Sequence, residues 1–301
     1  MIQFGSVFGL ALYSEASMFD RLGKVFQLLM VIACGVTFAS TVNAQTDNQG
    51  LVIGAVPNMS ARVVIAQYQP VRDYFQRTLK QRVEIATSTD FPSFSRETLK
   101  GNYSMVFTPA NLGRVAQVDG GWSVLACLEP GIPAVLVGMA DNPNSNPNQL
   151  SGKSLATTNP SSLVVQAGLK WLKERKLEVG RDYNLSTVPN DDSLFAVLRS
   201  GEAPFAMMSK GEFLAKPEPM RQSTRIVSEM AIVSGFWIMT NPKMPVAQRQ
   251  RIKELLLAFP DSEEGKLFFA SPGRSGLSAV TDAEMKELDP YLEATRKALA
   301  P

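Results

Sequence analysis

The sequence predicts an α/β fold of two lobes, in which each lobe is a mostly parallel sheet flanked by helices and a ligand cleft lies between the lobes. Three observations predict it. Short apolar segments alternate with amphipathic helical segments, as in parallel sheets that helices cover on both faces. The most turn-rich segment, 141–149, divides the chain. Four predicted strand-to-helix junctions share one polar chemistry.

The N-terminal residues 1–44 are predicted to form a signal peptide. A short basic region precedes an apolar run, and Ala44 suits cleavage, which leaves a mature protein that begins near Gln45. Met18 is an alternative start that gives a better signal. Lipid anchoring at Cys34 is the alternative to simple cleavage, because the residues before it read as a lipoprotein box. Both routes export the protein, and we expect it in the periplasm.

The predicted elements follow the hydrophobic pattern and the helix-capping residues. Lobe 1 is predicted to comprise residues 51–140 and 230–301, and lobe 2 residues 141–229. In the first part of lobe 1 we expect strands at Leu51–Val56, Gln81–Ala86, Tyr103–Phe107, Trp122–Leu128 and Ala134–Met139, with helices at Ala61–Lys80, Phe91–Lys100 and from Pro109. In lobe 2 we expect strands at Lys153–Thr157, Leu185–Val188 and Phe205–Met208, with helices at Pro160–Lys176 and before Gly201. The chain is expected to return to lobe 1 through strands at Arg225–Val227 and Gly235–Thr240. Helices at Val246–Phe259, Ser262–Phe269 and from Thr281 to Leu299 complete lobe 1.

Composition excludes several classes of function. The chain has 30 Lys and Arg against 28 Asp and Glu, so its net charge of +2 gives no reason to expect a nucleic-acid surface. It contains no histidine, which removes Ser-His-Asp and Cys-His catalysis and imidazole metal sites. Cys127 is the single cysteine beyond the predicted signal peptide and lies in an apolar context, which predicts a packed core thiol. We therefore expect a protein without catalysis, metal or cofactor.

The junction at 157–163 carries the most informative pattern. Asn159 is predicted to cap a helix that begins at Pro160, because proline suits the first helical position. The amides of the next three residues then lack intrahelical partners, and Ser161 and Ser162 add hydroxyl donors. Aligned peptide dipoles make such a terminus favourable for a phosphate, phosphonate, sulfate or carboxylate group. The pattern predicts an anion site with Ser161 and Ser162 as ligands.

Three further junctions repeat this chemistry. Ser60 precedes the first helix, Thr108 is predicted to cap a helix that begins at Pro109, and Asn190 and Asp191 lie at the start of another. Two of the four junctions fall in each predicted lobe, at the carboxyl ends of strands, where open α/β sheets bind ligands. Ser60, Thr108, Asn190 and Asp191 are therefore predicted ligand-binding residues. Tyr68 is expected to line the cleft wall.

The mature chain resembles the periplasmic phosphonate- and phosphate-type substrate-binding proteins of ABC transporters. The resemblance covers residues 51–298 and rests on an ordered series of segments: IGAVPNMSA, LKGNYSMVFTPANLGRVAQ, LSGKSLATTNPSS, DDSLFAVLRSGEA, SGFWIMTNPKMP and SEEGKLFFA. It implies a type 2 periplasmic-binding fold that closes over its ligand by a hinge and delivers it to an inner-membrane ABC permease.

The chain departs from this family pattern at several positions. Leu163 and Val164 stand where the family has a third hydroxyl and a glycine, and Asn190 stands where phosphonate binders tend to have histidine. Pro204 occupies a place that is commonly acidic, so an acid that could pair with an aminophosphonate's ammonium group is not evident.

Together these observations predict an exported solute-binding protein that captures a small oxyanion of the phosphonate, phosphate or phosphite class. Its expected partners are this anion and the permease, and we expect a monomer that does not bind nucleic acid. The alternative is a sensory or partner-binding module of the same fold that signals ligand occupancy to a membrane receptor.

Overall fold

The computed structural model describes residues 50–142, 146–189, 191–271 and 273–300. The predicted signal peptide and Asn190 lie outside the described residues, as does the side chain of Asp191. None of the described helices combines the length and the apolar character that a bilayer crossing requires.

The described strands and helices alternate along most of the chain, as predicted. The strands are β1 (Leu51–Ala55), β2 (Val83–Ala86), β3 (Met105–Thr108), β4 (Ser123–Glu129), β5 (Ile132–Met139), β6 (Ser154–Thr157), β7 (Asn184–Thr187), β8 (Phe205–Ser209), β9 (Thr224–Val233), β10 (Trp237–Thr240) and β11 (Gly276–Ser278). The helices are α1 (Ala61–Leu79), α2 (Phe91–Lys100), α3 (Ala110–Gly120), α4 (Leu163–Glu174), α5 (Asp191–Ser200), α6 (Lys210–Leu214), α7 (Glu218–Ser223), α8 (Val246–Ala258), α9 (Glu263–Phe269), α10 (Asp282–Lys286) and α11 (Leu292–Leu299).

The strands form two sheets, which we call the first and second sheet, and each sheet with its helices is a lobe. The first sheet has the order β11-β4-β10-β3-β1-β2. In it β1 is parallel to β2 and β3, whereas β10 is antiparallel to both β3 and β4. Strands β1, β3 and β4 therefore run in one direction, and their carboxyl ends share one edge of the sheet.

The second sheet has the order β7-β6-β8-β5-β9. Strand β6 is parallel to β7 and β8, and β5 is antiparallel to β8 and β9. Four of the five strands thus run in one direction, with their carboxyl ends at a common edge. The expectation of two sheets flanked by helices is confirmed. Most strands of each sheet run in one direction, although β10 and β5 are antiparallel to both of their neighbours.

The chain passes between the sheets earlier than predicted. We expected Ala134–Met139 in lobe 1 and the crossing at 141–149, but β5 pairs with β8 and β9 of the second sheet. The crossing is therefore at residues 130–131, and the return is at residues 234–236, between β9 and β10. The prediction was wrong because apolar alternation identifies a buried strand but does not specify which sheet it joins. The turn-rich segment begins a loop within the second lobe.

Both crossings join the carboxyl edges of the two sheets. The first crossing leaves the carboxyl end of β4 and enters β5 at the end that lies beside the carboxyl end of β8. The second leaves the carboxyl end of β9 and enters β10 at Trp237, which pairs with Thr108 and Cys127. These connections place the two carboxyl edges opposite each other.

The apolar core continues from one sheet to the other. One cluster of buried side chains contains Phe94 and Trp237 of the first lobe together with Leu136, Leu155 and Leu163 of the second. A separate cluster packs α1, α8 and α9 against the opposite face of the first sheet. Burial of this apolar surface is the main stabilising contribution to the fold.

Candidate functional site

The facing carboxyl edges bring several helix N-termini towards one region. In the first lobe β1 leads into α1 and β3 leads into α3, while in the second β6 leads into α4 and β7 leads into α5. The turn after β1 is tied to β3, since the Val56 amide donates to the Phe107 carbonyl at 3.1 Å. Parallel pairing within each sheet therefore sets neighbouring helix starts side by side.

Helix α4 begins at Leu163 with Ser162 as its N-cap residue, so the predicted start at Pro160 was wrong. Both the amide and the hydroxyl of Ser161 donate to Asn159 Oδ1, at 3.1 and 2.7 Å. The Ser162 amide donates to the Asn159 carbonyl at 3.2 Å. Asn159 therefore forms a local turn that delays the helix.

This shift changes which donors the α4 terminus presents. The first helical bond runs from Gln166 to the Ser162 carbonyl at 3.0 Å, so the amides of residues 163–165 have no carbonyl within the helix. The half-buried Ser162 hydroxyl lies beside these amides and has no hydrogen-bond partner among the described residues. The donors left at this terminus are these amides and the Ser162 hydroxyl, because those of Ser161 bond to Asn159.

Helix α3 begins at Ala110, and Pro109 rather than Thr108 is its N-cap residue. The predicted cap and start at this junction were wrong because Pro109 has ψ 143°, an extended value outside the helical region. The Thr108 side chain is buried, and its Oγ1 lies 3.4 Å from the Pro109 carbonyl. The amides of residues 110–112 have no carbonyl within α3, since the first helical bond is from Gly113 to Pro109.

The two lobes meet through a group of buried polar side chains that we call the interlobe clasp, formed by Asn111, Gln166 and Thr295. Asn111 Nδ2 on α3 donates to the Ser161 carbonyl at 3.0 Å and to Thr295 Oγ1 at 3.1 Å. Thr295 Oγ1 on α11 donates to Gln166 Oε1 on α4 at 2.9 Å. All three side chains are buried. The clasp therefore joins the first turns of helices from both lobes.

Ser60 and Tyr68, both predicted to bind ligand, occupy different environments. Ser60 is exposed at the N-cap of α1 and makes no side-chain capping bond. Tyr68 is only 3% exposed and packs on Phe107 and Phe268, with ring centroids at 4.9 and 5.7 Å. Burial raises the pKa of the Tyr68 phenol. The Tyr68 ring thus packs inside the first lobe.

The sequence did not identify Arg274, which covers Tyr68. Its guanidinium carbon lies 4.1 Å from the Phe268 ring centre and 5.3 Å from that of Tyr68, and its Nη2 donates to Gln67 Oε1 at 3.1 Å. Burial lowers the pKa of this guanidinium. One signal was visible, because the sequence has no Asp or Glu between Gly265 and Thr281.

Solved structures of low sequence identity share this fold. PhnD1 from Prochlorococcus marinus (MIT 9301), solved with methylphosphonate, has a TM-score of 0.71 and 12% identity, over 83% of this chain and 99% of that chain. XAC2383 from Xanthomonas citri, bound to chloride ion, has a TM-score of 0.68 and 19% identity, over 82% and 98%. A binding protein component of an ABC phosphonate transporter, PA3383 from Pseudomonas aeruginosa, has a TM-score of 0.68 and 11% identity, over 83% and 88%. A comparison with curated protein sequences gives no significant match.

The family assignment comes from the sequence itself. Residues 53–285 match the family described as ABC transporter, phosphonate, periplasmic substrate-binding protein. The match runs from β1 to α10 and so includes both sheets and both crossings. Members of this family are periplasmic solute-binding proteins that work with ABC transporter permeases. This chain belongs to the phosphonate periplasmic substrate-binding protein family of ABC transporters.

Proposed function

We propose that this protein captures a small oxyanion of the phosphonate, phosphate or phosphite class and delivers it to an inner-membrane ABC permease. One observation carries the proposal. The 3.0 Å contact between Asn111 Nδ2 and the Ser161 carbonyl joins the first turn of α3 to the turn before α4, so helix N-termini of both lobes lie at one place. Their unpaired amides and dipoles favour an anion there.

Ser162 and the amides of residues 163–165 are the donors of the second lobe in this proposal. The amides of residues 110–112 at the start of α3 contribute from the first lobe, together with Ser60 and the amides at the start of α1. Thr108 and Ser161 act by shaping the junctions, because one is buried and the other donates to Asn159. Asn190 and Asp191 remain predicted ligands from the α5 junction.

Thermal-shift measurements on the exported protein test the proposal with methylphosphonate, phosphate and phosphite. The screen also includes a sulfonate, because an alkanesulfonate-binding protein from Xanthomonas axonopodis bound to MOPS shares the fold at a TM-score of 0.59. An anion at 100 times its dissociation constant should stabilise the protein by about 2.7 kcal/mol. Absence of a shift with every phosphorus oxyanion would contradict the proposal.

Substitution of Ser162 tests whether the anion binds at the start of α4. We expect Ser162→Ala to weaken anion binding on the order of 10-fold, because it removes a hydrogen bond to a charged group. Ser200→Ala is the matched control, since Ser200 is exposed at the C-terminal end of α5 and bonds to Val197. Equal affinities for both variants would move the site away from α4.

We also propose that export removes residues 1–44. Mass spectrometry of protein recovered from the periplasm should show an N-terminus near Gln45. A membrane-bound product whose N-terminus is a lipidated Cys34 would instead support lipid anchoring.

A further inference from the structure

We infer that Arg274 supplies the positive charge that binds the oxyanion from the first lobe. This inference rests on the proposed function and adds a residue that neither the sequence motifs nor the helix termini identify. The site then combines helix-terminal amides of both lobes with a guanidinium of the first lobe.

Arg274 has no carboxylate partner among the described residues. Its Nη1 is buried without any hydrogen-bond partner, and its Nη2 bonds to the neutral amide of Gln67. Three other arginines have carboxylate partners: Arg77 with Glu264 at 2.8 Å, Arg114 with Asp289 at 2.7 Å and Arg296 with Asp119 at 2.5 Å. The missing counter-charge therefore distinguishes Arg274 from these residues.

An unpaired charge in such a place destabilises the folded protein. Partial burial of a guanidinium without a carboxylate is unfavourable, and contact with Phe268 and Tyr68 offsets only part of this cost. An anion from outside the chain supplies the counter-charge that Arg274 lacks. Stacking on the rings also fixes the guanidinium plane, which preorganises its nitrogens for two oxygens of one ligand.

The position of Arg274 in the fold agrees with this role. The next residue, Ser275, donates its amide to the Glu129 carbonyl at 2.7 Å, and Glu129 ends β4 at the first crossing. Gln67, which accepts from Arg274, also reaches Met59 in the turn between β1 and α1. Arg274 is thus held at the carboxyl edge of the first sheet, the edge that faces the second lobe.

The chemistry of the guanidinium indicates the class of ligand. A planar fork of N–H groups binds two oxygens of one group better than a spherical ion, so phosphonate, phosphite and phosphate should bind more tightly than chloride. The guanidinium repels a ligand's ammonium group, because both are positively charged and no described carboxylate pairs with Arg274. An alkyl or unsubstituted oxyanion therefore fits this residue better than an aminophosphonate.

The test compares Arg274→Met with Arg77→Met. Arg77 is the matched control because it also lies over a tyrosine ring, 5.6 Å from Tyr74, but has a carboxylate partner in Glu264. Calorimetric titration with methylphosphonate and with inorganic phosphate should show affinity lowered on the order of 100-fold in Arg274→Met and unchanged in Arg77→Met. In buffer without these anions, the Tm of Arg274→Met should equal or exceed that of the wild type, because an unpaired charge has been removed.

The possible results separate failure of the proposed function from failure of the role of Arg274. If the wild type binds neither anion, the proposed function fails, and the role of Arg274 with it. If the wild type and Arg274→Met bind equally well, the role of Arg274 alone is refuted. A lower Tm of anion-free Arg274→Met would assign the residue to packing and also refute the inference. Arg274→Lys, which keeps the charge but not the fork, should fold and bind the two oxyanions more weakly than the wild type, and equal binding would count against the inference.

Discussion

At the scale of single residues, Tyr183 carries a buried hydroxyl without a hydrogen-bond partner. Burial raises the pKa of this phenol from 10.0 to about 12, with a smaller contribution from Asp182. Below pH 10 the folded and unfolded states both keep the proton. As the pH rises from 10 towards 12 the unfolded state ionises first, so stability is lost over this interval.

Tyr183→Phe should therefore have a free energy of unfolding at least equal to that of the wild type at pH 8. Between pH 8 and pH 11 the difference should grow by about 1.4 kcal/mol in favour of the variant. Urea unfolding at the two pH values measures both effects. Tyr103→Phe is the control, since the Tyr103 hydroxyl bonds to Ser88 at 3.0 Å and its removal should lower stability at pH 8. An advantage of Tyr183→Phe that does not change with pH would contradict the assigned pKa.

Gly235, in the return crossing, permits close contact of two backbones. A Cβ added there would lie 1.8 Å from the Leu128 carbonyl oxygen, whereas one added at Gly211 would find its nearest neighbour at 3.9 Å. We expect Gly235→Ala to lower the free energy of unfolding by about 3 kcal/mol, while Gly211→Ala, within α6, should be neutral or stabilising. Equal stabilities in a urea titration would show that the crossing relaxes around the new methyl group.

The predicted site residues show what a sequence can and cannot reveal at this scale. The sequence places Ser162 near a helix start, and the structure has it as the N-cap residue of α4. A local pattern of polar residues is enough to identify such a position, because capping depends on neighbours in sequence. Tyr68 and Thr108 are buried, and the burial of a particular side chain depends on neighbours that are distant in sequence, such as Phe268. The lack of acidic residues near Arg274 in sequence does not establish that Arg274 is unpaired, because a carboxylate could still come from a distant part of the chain.

At the scale of elements, the hydrophobic pattern located the strands and most helices, but the exact starts of helices were less predictable. Asn159 and Pro109 each delay the following helix, through a side-chain hydrogen bond in one case and an extended ψ in the other. The sheet to which β5 belongs was also not predictable, because its pairing partners are residues 205–209 and 224–233. Local patterns specify an element, whereas tertiary pairing specifies its neighbours.

The interlobe clasp depends on α11 through Thr295. Thr295→Val removes both hydrogen bonds of the Thr295 hydroxyl, to Asn111 and to Gln166, and should destabilise the protein by about 2 kcal/mol. Thr98→Val is the matched control, because Thr98 is equally buried but bonds only to Phe94 within α2. Its expected cost is about 1 kcal/mol.

Hydrogen exchange shows whether loss of the clasp loosens only the α4 terminus or destabilises the whole protein. Peptides that cover residues 159–170 should exchange faster in Thr295→Val and at the wild-type rate in Thr98→Val. Peptides from β1 and β3 should exchange alike in both variants. Faster exchange throughout Thr295→Val would show that the clasp has no special effect on the α4 terminus.

At the scale of the whole molecule, two kinds of connection determine how the lobes can move. The described chain crosses between the sheets twice, at residues 130–131 and 234–236, and two short crossings permit a hinge. The clasp and the shared apolar cluster oppose separation of the lobes. The balance between the freedom of the hinge and these interlobe contacts sets the fraction of molecules that are closed before ligand binds.

This balance predicts the shape of the protein in solution. If the clasp favours the closed form by about 2 kcal/mol, its loss reduces the ratio of closed to open molecules about 30-fold. Small-angle X-ray scattering without added anion should then give a larger radius of gyration for Thr295→Val than for the wild type or Thr98→Val. Saturating methylphosphonate should return Thr295→Val to the wild-type value, because a ligand that contacts both lobes favours closure. If all three proteins have the same radius of gyration without anion, the crossings themselves hold the lobes together, and the clasp serves only the local structure of the α4 terminus.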